Sequence, residues 1–168
     1  MYERILLPTD GSAGMRRVID HAADLAAAHD ALIHALYVVD SGSYASLPME
    51  TAWDGIAGML REEGETALAA VERVVGERAP VETATVDGSP SRDIVSYARE
   101  QDCDLVVMGT HGRGGIDRLL IGSVAERVVR TSDVPVMTVR VHPGDGDGVR
   151  DPAEDATGPE ATPEPGAE

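Results

Sequence analysis

Apolar positions along the chain gather into five short runs, with amphipathic stretches between them. Ile5-Leu6-Leu7 opens the first run, Arg4 to Pro8, which reads as a buried strand. Ser12 can cap a helix that carries Met15, Val18, Ile19, Ala22, Leu25 and Ala26 at helical spacing. Ala31 to Val39 is a second strand. Asp40 to Trp53, with Gly42, Ser43 and Pro48, reads as an irregular loop. A helix from Asp54 to Arg78 follows, with Leu60, Leu68, Val71, Val74 and Val75 on one face. Val81 to Val86 alternates apolar with polar, as a strand at a sheet edge does. Ser89 or Ser91 starts a helix holding Ile94, Val95 and Ala98. Asp104 to Met108 is a fourth strand, apolar on both faces. Ser123 to Thr131 is a further helix, and Val134 to Val141 a fifth strand. Strands alternating with helices predict an α/β fold: a parallel sheet with helices on both faces and right-handed crossovers.

The last segment has a different composition. Residues 143–168 are rich in Gly, Pro, Asp and Glu, with Val149 their one large aliphatic side chain. They carry eight acids and Arg150, a charge of −7, which leaves −9 for residues 1–142. A segment this acidic and this poor in apolar groups reads as a disordered tail, so the expected organisation is one domain over 1–142 and a tail over 143–168. The chain contains no Phe and a single Trp, so its core must be built from Ala, Val, Leu and Ile. No apolar run approaches the roughly 20 residues that span a bilayer. The N-terminal MYERILLPTDG reads as a strand and turn rather than a signal sequence, and a cytoplasmic location is the expectation.

Charge narrows the partners. The net is −16, and all fourteen basic residues are Arg. Such a chain repels nucleic acid and anionic membranes, and neither is expected as a partner. An acidic, lysine-free composition suits a salt-rich cytoplasm, where screening weakens self-repulsion. A high-GC genome combined with one acidic tail gives the same composition. Cys103, the single cysteine, lies between Asp102 and Asp104, which raise its pKa, and it reads as a structural thiol. His21, His29, His34 and His142 show no metal-ligand spacing.

In an open parallel sheet, ligands lie beyond the carboxyl ends of the strands, where the strand order reverses. Three segments occupy such ends: Pro8-Thr9-Asp10-Gly11-Ser12, Asp87-Gly88-Ser89-Pro90, and GTHGRGGIDRLLIGS from Gly109 to Ser123. Gly109 and Gly112 allow close backbone approach, Ile116, Leu119 and Leu120 can hold the intervening segment on the core, and Gly122-Ser123 opens a helix. The first amides of that helix can hold phosphate oxygens without a lysine, helped by Arg113, Arg118 or Mg²⁺. Ser123 and Glu126 also fit a capping box that would satisfy the same donors internally. Spacing alone leaves turn and phosphate cradle equally open. Asp10 has a similar double reading, as a ligand contact or as a cap of its own turn. His111 reads as a loop residue, with no carboxylate or nucleophile set beside it.

The segment from Gly109 to Ser123 resembles the nucleotide-binding signature of the universal stress protein family, Gly-x2-Gly-x9-Gly-Ser/Thr, and no part of the signature is missing. ILLPTDGS, the glycine and proline of VDGSP, and DVPVMTVR extend the resemblance over residues 1–141. It implies a three-layer, Rossmann-like fold of the adenine nucleotide alpha hydrolase kind: an open five-stranded sheet in the order 3-2-1-4-5. It implies ATP, with Mg²⁺ on its phosphates. Asp10 would contact the ribose region, and Pro8 and Thr9 the wall beside it. Val39 would meet adenine with its backbone, helped by Val38, and Gly88 would leave room near the base. Met108 and Gly109 would flank the ribose, and Gly112, Arg113, Gly122, Ser123 and Val124 would surround the phosphates. The strand Val134–Val141 would pair with its copy in a homodimer.

Three functions follow: a nucleotide-binding regulatory module, a slow ATPase or phosphotransfer enzyme at the same site, or an interaction protein without a ligand. Hydrolysis needs an oriented water and stabilisation of γ-phosphoryl charge. Asp10 and Arg113 are the available helpers and no dedicated base is evident, so rapid turnover is not expected. The two explanations of the acidic composition separate in an unfolding experiment. A salt-adapted chain gains stability from low to multimolar KCl, whereas equal stability at both salt concentrations removes that reading.

Overall fold

The computed structural model describes residues 1–40, 42, 50–110 and 121–141; for residues 50–54, 56 and 57 it describes the helix backbone alone. The chain runs β1 (Arg4–Thr9), α1 (Met15–His29), β2 (Leu32–Asp40), α2 (Glu50–Val75), a 3-10 turn (Gly76–Arg78), β3 (Val81–Gly88), α3 (Pro90–Glu100), β4 (Leu105–Gly109), α4 (Ser123–Thr131) and β5 (Val136–Val139). All strands are parallel, in the order β3-β2-β1-β4-β5.

Side-chain alternation along the strands builds two cores. Ile5, Leu7, Ile33, Ala35, Tyr37, Val39, Leu105 and Val107 face α1 and α2. Leu6, Leu36, Val106 and Met108 face α3 and α4, where they meet Ile94, Ala98, Cys103, Ala125 and Val128. Ala22, Ala23 and Ala26 are fully buried on α1, so small side chains let that helix lie close to the sheet in a chain without Phe.

Several boundaries differ from the sequence expectation. The second helix begins at Glu50, so Trp53 lies within it rather than in a loop, and its last residues tighten into the 3-10 turn. The fifth strand spans Val136–Val139 alone; Val134 and Pro135 precede the ladder. Ser12 does not cap α1. Gly14 is the N-cap, and the Ser12 hydroxyl donates to Asp10 Oδ1 at 2.7 Å. Residues 41 and 43–49, within the stretch expected as a loop, and 143–168, expected as a tail, lie outside the described residues.

Polar contacts fix the helices to one another. Arg78 donates to the Val75 and Val74 carbonyls at 3.2 and 2.5 Å, closing α2. Its guanidinium also reaches Asp20 Oδ1 at 2.9 Å and Asp24 Oδ1 at 3.2 Å on α1. At this partial exposure each such pair contributes roughly 1 kcal/mol or less. Cys103 is buried, and burial, with Asp104 adding to it and Arg4 opposing, pushes its thiol pKa up to about 11. It is a packing residue, as its flanking acids implied.

His34 is a buried polar group within β2. Its Nδ1 lies 3.4 Å from the Tyr97 hydroxyl of α3, and its Nε2 has no hydrogen-bond partner. Burial holds its pKa below the ordinary value, against the pull of Glu82 beside it on β3 and with a smaller push from Arg4. The folded chain therefore keeps His34 neutral where the unfolded chain, with a pKa of about 6.5, takes up a proton. Its contribution to stability is complete above that pH and is lost as pH falls toward the depressed folded value. Urea unfolding between pH 7.5 and 5 should show a steeper loss of stability in the parent than in His34→Gln; parallel curves would remove His34 as the cause.

Candidate functional site

The site develops from the pairing of β1 with β4, through Ile5↔Leu105 and Leu6↔Val106. From β1 the chain leaves into α1 on one face of the sheet; from β4 it continues to α4 on the other. The two connections diverge, and a crevice opens between the carboxyl ends. Continuing the register sets Thr9 level with Gly109.

On the β1 side the chain turns sharply. Thr9 Oγ1 accepts from the Gly11 amide at 3.2 Å, and Asp10 Oδ1 accepts from the Ser12 amide at 3.0 Å. With the Ser12 hydroxyl on the same oxygen, the Asp10 carboxylate is fixed in its own turn. Asp10 thus does cap its turn, and it does so at the mouth of the crevice.

On the β4 side Thr110 is the junction. It is buried, its amide donates to the Val139 carbonyl at 2.9 Å, and its own carbonyl accepts from the Gly122 amide at 2.6 Å. Its Oγ1 accepts from the Val141 amide at 3.3 Å. The chain leaves Thr110 and comes back to it at Gly122. Gly112 and Arg113, predicted to surround the phosphates, fall between these ends with His111 and Arg118, outside the described residues.

Gly122 is the N-cap of α4, with extended torsions (φ −74°, ψ 159°), and among the described residues no side chain caps the helix. The capping box that Ser123 and Glu126 fit by spacing does not form among the described residues: Glu126 pairs with Arg130 one turn on. A residue with a longer side chain at i+4 competes for the same carboxylate, and here it wins. The first amide of the helix with an internal acceptor is that of Glu126, bonded to the Gly122 carbonyl at 2.8 Å. Among the described residues no acceptor reaches the amides of Ser123 and Val124. Gly in place of Ser at the cap costs only a few tenths of a kcal/mol, so leaving these donors uncapped costs the fold little. They are the donors, with the positive end of the helix dipole, that an anion would find.

Val38 and Val39, both expected beside adenine, differ in where their backbones point. β2 pairs with β1 as far as Thr9↔Tyr37, but with β3 as far as Asp40↔Gly88. Residues 38–40 therefore pass the end of β1, leaving one backbone edge of β2 beyond the β1 ladder. The Leu32 amide bonds toward β1 and the Ile33 amide toward β3, and backbone groups alternate along the strand. By that parity Val39 turns its backbone to β3, and Val38 turns its backbone to the open edge. Of the two, Val38 is the one whose backbone groups face the open edge. Val38 also packs with the core on the α3 and α4 side, as Met108 does, while the Val39 side chain is buried on the opposite face. Gly88 also has a local structural reason. The space a Cβ would need there is filled by the Asp93 carboxylate, whose Oδ2 accepts from the Ser89 amide at 2.5 Å and so starts α3.

A second, polar cleft of about 220 Å³ lies at the opposite, amino end of the sheet, lined by Arg4, Leu32, His34, Glu82, Glu100, Gln101 and Asp102. Among the described residues no three His, Cys, Asp or Glu side chains come together as a metal site, and no helix is long and apolar enough to cross a membrane.

Comparison with known proteins identifies the family and the fold. Residues 1–140 match the model of the universal stress protein family. A universal stress protein of Methanocaldococcus jannaschii is 40% identical over 141 residues, covering 83% of each chain. One from Methanothermobacter thermautotrophicus is 33% identical, covering 83% of this chain and 97% of that protein. Among solved structures, a second M. jannaschii protein, 27% identical, superimposes with a TM-score of 0.76 over 86% of this chain and 99% of that one. A universal stress protein crystallised with cAMP, 26% identical, superimposes with a TM-score of 0.62 over 83% of this chain and 97% of that one. By sequence and by fold, this chain belongs to the universal stress protein family.

Proposed function

We propose that the chain is an ATP-binding regulatory module of the stress response, acting in the cytoplasm as a homodimer. One observation carries the reading: the uncapped amides of Ser123 and Val124 stand at the carboxyl end of β4, across the crevice from the Asp10 turn. The family relative that binds cAMP supports an adenine nucleotide as the class of ligand. The base would lie along the open edge at Val38, the ribose between Asp10 and Met108-Gly109, and the phosphates at Gly122, Ser123 and Val124. Pro8 and Thr9 would form the adjoining wall. Gly112 and Arg113 would complete the phosphate end. Mg²⁺, which neutralises phosphate charge when bound, would arrive with the nucleotide. Asp10, held by Ser12, is a ribose ligand in this reading rather than a general base, so the module holds ATP and hydrolyses it slowly if at all.

Dimer formation would use β5. Its inward carbonyls at Pro135 and Val139 bond to β4, and alternation turns the backbone of Val136, Thr138 and Arg140 to the free edge. An open edge with half-buried Val136 and Met137 invites a second strand.

Two experiments test the proposal. Mass spectrometry of small molecules released from the denatured, purified protein should find ATP, and Gly122→Val should abolish binding of added ATP while preserving the circular dichroism spectrum. The extended torsions of Gly122 accept a β-branched residue, so unchanged affinity would sink the phosphate assignment; co-purified ADP with steady phosphate release would make the protein an ATPase. Separately, Thr138→Pro removes an outward amide from the edge and should convert a dimer to a monomer in sedimentation. A parent chain that sediments as a monomer at all concentrations would rule out the dimer.

A further inference from the structure

Thr110 uses every polar group it has to join elements that are distant in sequence. Its amide holds β5 at Val139, its carbonyl holds the cap of α4 at Gly122, and its hydroxyl holds the chain leaving β5 at Val141. The Val141 side chain in turn fills the space that a Cβ on Gly14 would need, at the start of α1. That packing keeps the Val141 amide in front of Oγ1. The position of Thr110 is therefore fixed from the β5 side by two bonds, and it passes that position to Gly122 through one short bond.

We propose that Thr110 is a positioning residue for the phosphate end of the nucleotide site, selecting phosphorylated adenosine over the bare nucleoside; the inference rests on the nucleotide reading above. Thr110 need not touch the ligand. Its carbonyl takes up the Gly122 amide, which places the next two amides, those of Ser123 and Val124, at a set distance from the end of β4. Hydrogen bonds to an anion lose strength steeply with misplacement, so a small drift of the cap weakens both. The adenosine half of the site is placed by other means. Val38 is held by pairing with β3, and Pro8 and Met108 lie on the two central strands. None of these depends on the Thr110 hydroxyl. Removing the hydroxyl leaves the Val141 amide without its acceptor in a half-buried place and loosens the point from which the cap is hung.

The test uses the full chain with Thr110→Val, which keeps shape and volume, and Thr110→Ser, which keeps the hydroxyl. Titration calorimetry with Mg·ATP and with adenosine gives the two affinities for each protein. Thr110→Val should lose about tenfold in ATP affinity, the effect of one well-placed bond, with adenosine changed less than threefold. Thr110→Ser should return ATP affinity to within about threefold of the parent. A purely structural role would lower both affinities together, or lower the unfolding midpoint without changing their ratio, and either result overturns the proposal. So does parental ATP affinity in Thr110→Val. A parent that binds ATP while the ratio stays fixed overturns this inference alone; a parent that binds neither ligand overturns the nucleotide reading and this inference with it.

Discussion

The pairing of β1 with β4 is the contact on which the rest of the structure depends. Every residue of β4, and every residue of β1 after Arg4, is buried. These two strands carry the sheet through the centre of the molecule, and neither alternates polar with apolar. Burial on both faces forces their connections onto opposite sides, since each face must be covered by a helix. The crevice at their carboxyl ends is a by-product of that covering. The Asp10 turn on one side and the Thr110 junction on the other are therefore consequences of how the core closes.

Net charge sets a second constraint. With no lysine and a surplus of carboxylates, the protein has few cations to offer an anionic ligand. In the proposed reading, backbone amides at a helix start meet the need without adding a charged side chain. They carry partial positive charge at all pH values, and they are placed by the helix rather than by a long flexible stem. Their cost is small where the cap is glycine. The acidic surface still repels a nucleotide at long range, and salt reduces that repulsion over a Debye length of about 8–10 Å near physiological ionic strength.

Much of this arrangement was legible in the chain. The apolar runs at Ile5–Leu7 and Leu105–Met108 identify central strands because burial on both faces leaves no polar alternation. The alternation of β3 marks it as an edge, and it is one. Local patterns were less reliable where two partners compete. Ser123 and Glu126 have capping-box spacing, yet Arg130 takes the carboxylate. Ser12 precedes a helix, yet its hydroxyl turns back to Asp10. Pro48 and the nearby small residues have loop composition as far as Trp53, yet the helix backbone already runs from Glu50. Val38 and Val39 differ only by strand parity, which becomes visible once the ladder is known. Thr110 is not legible in the chain at all. Its partners Gly122, Val139 and Val141 lie 12 to 31 residues away, and no local spacing encodes such a junction.

The packing of Val141 on Gly14 has a practical side. It brings the chain out of β5 at the same end of the sheet as the crevice, whereas Met1, almost wholly exposed, precedes β1 at the far end. A surface tether or fluorescent reporter joined at Met1 leaves the crevice clear. The same group attached at Val141 is on the crevice side of the sheet, where a dye would sense an arriving ligand and a bulky fusion would obstruct it.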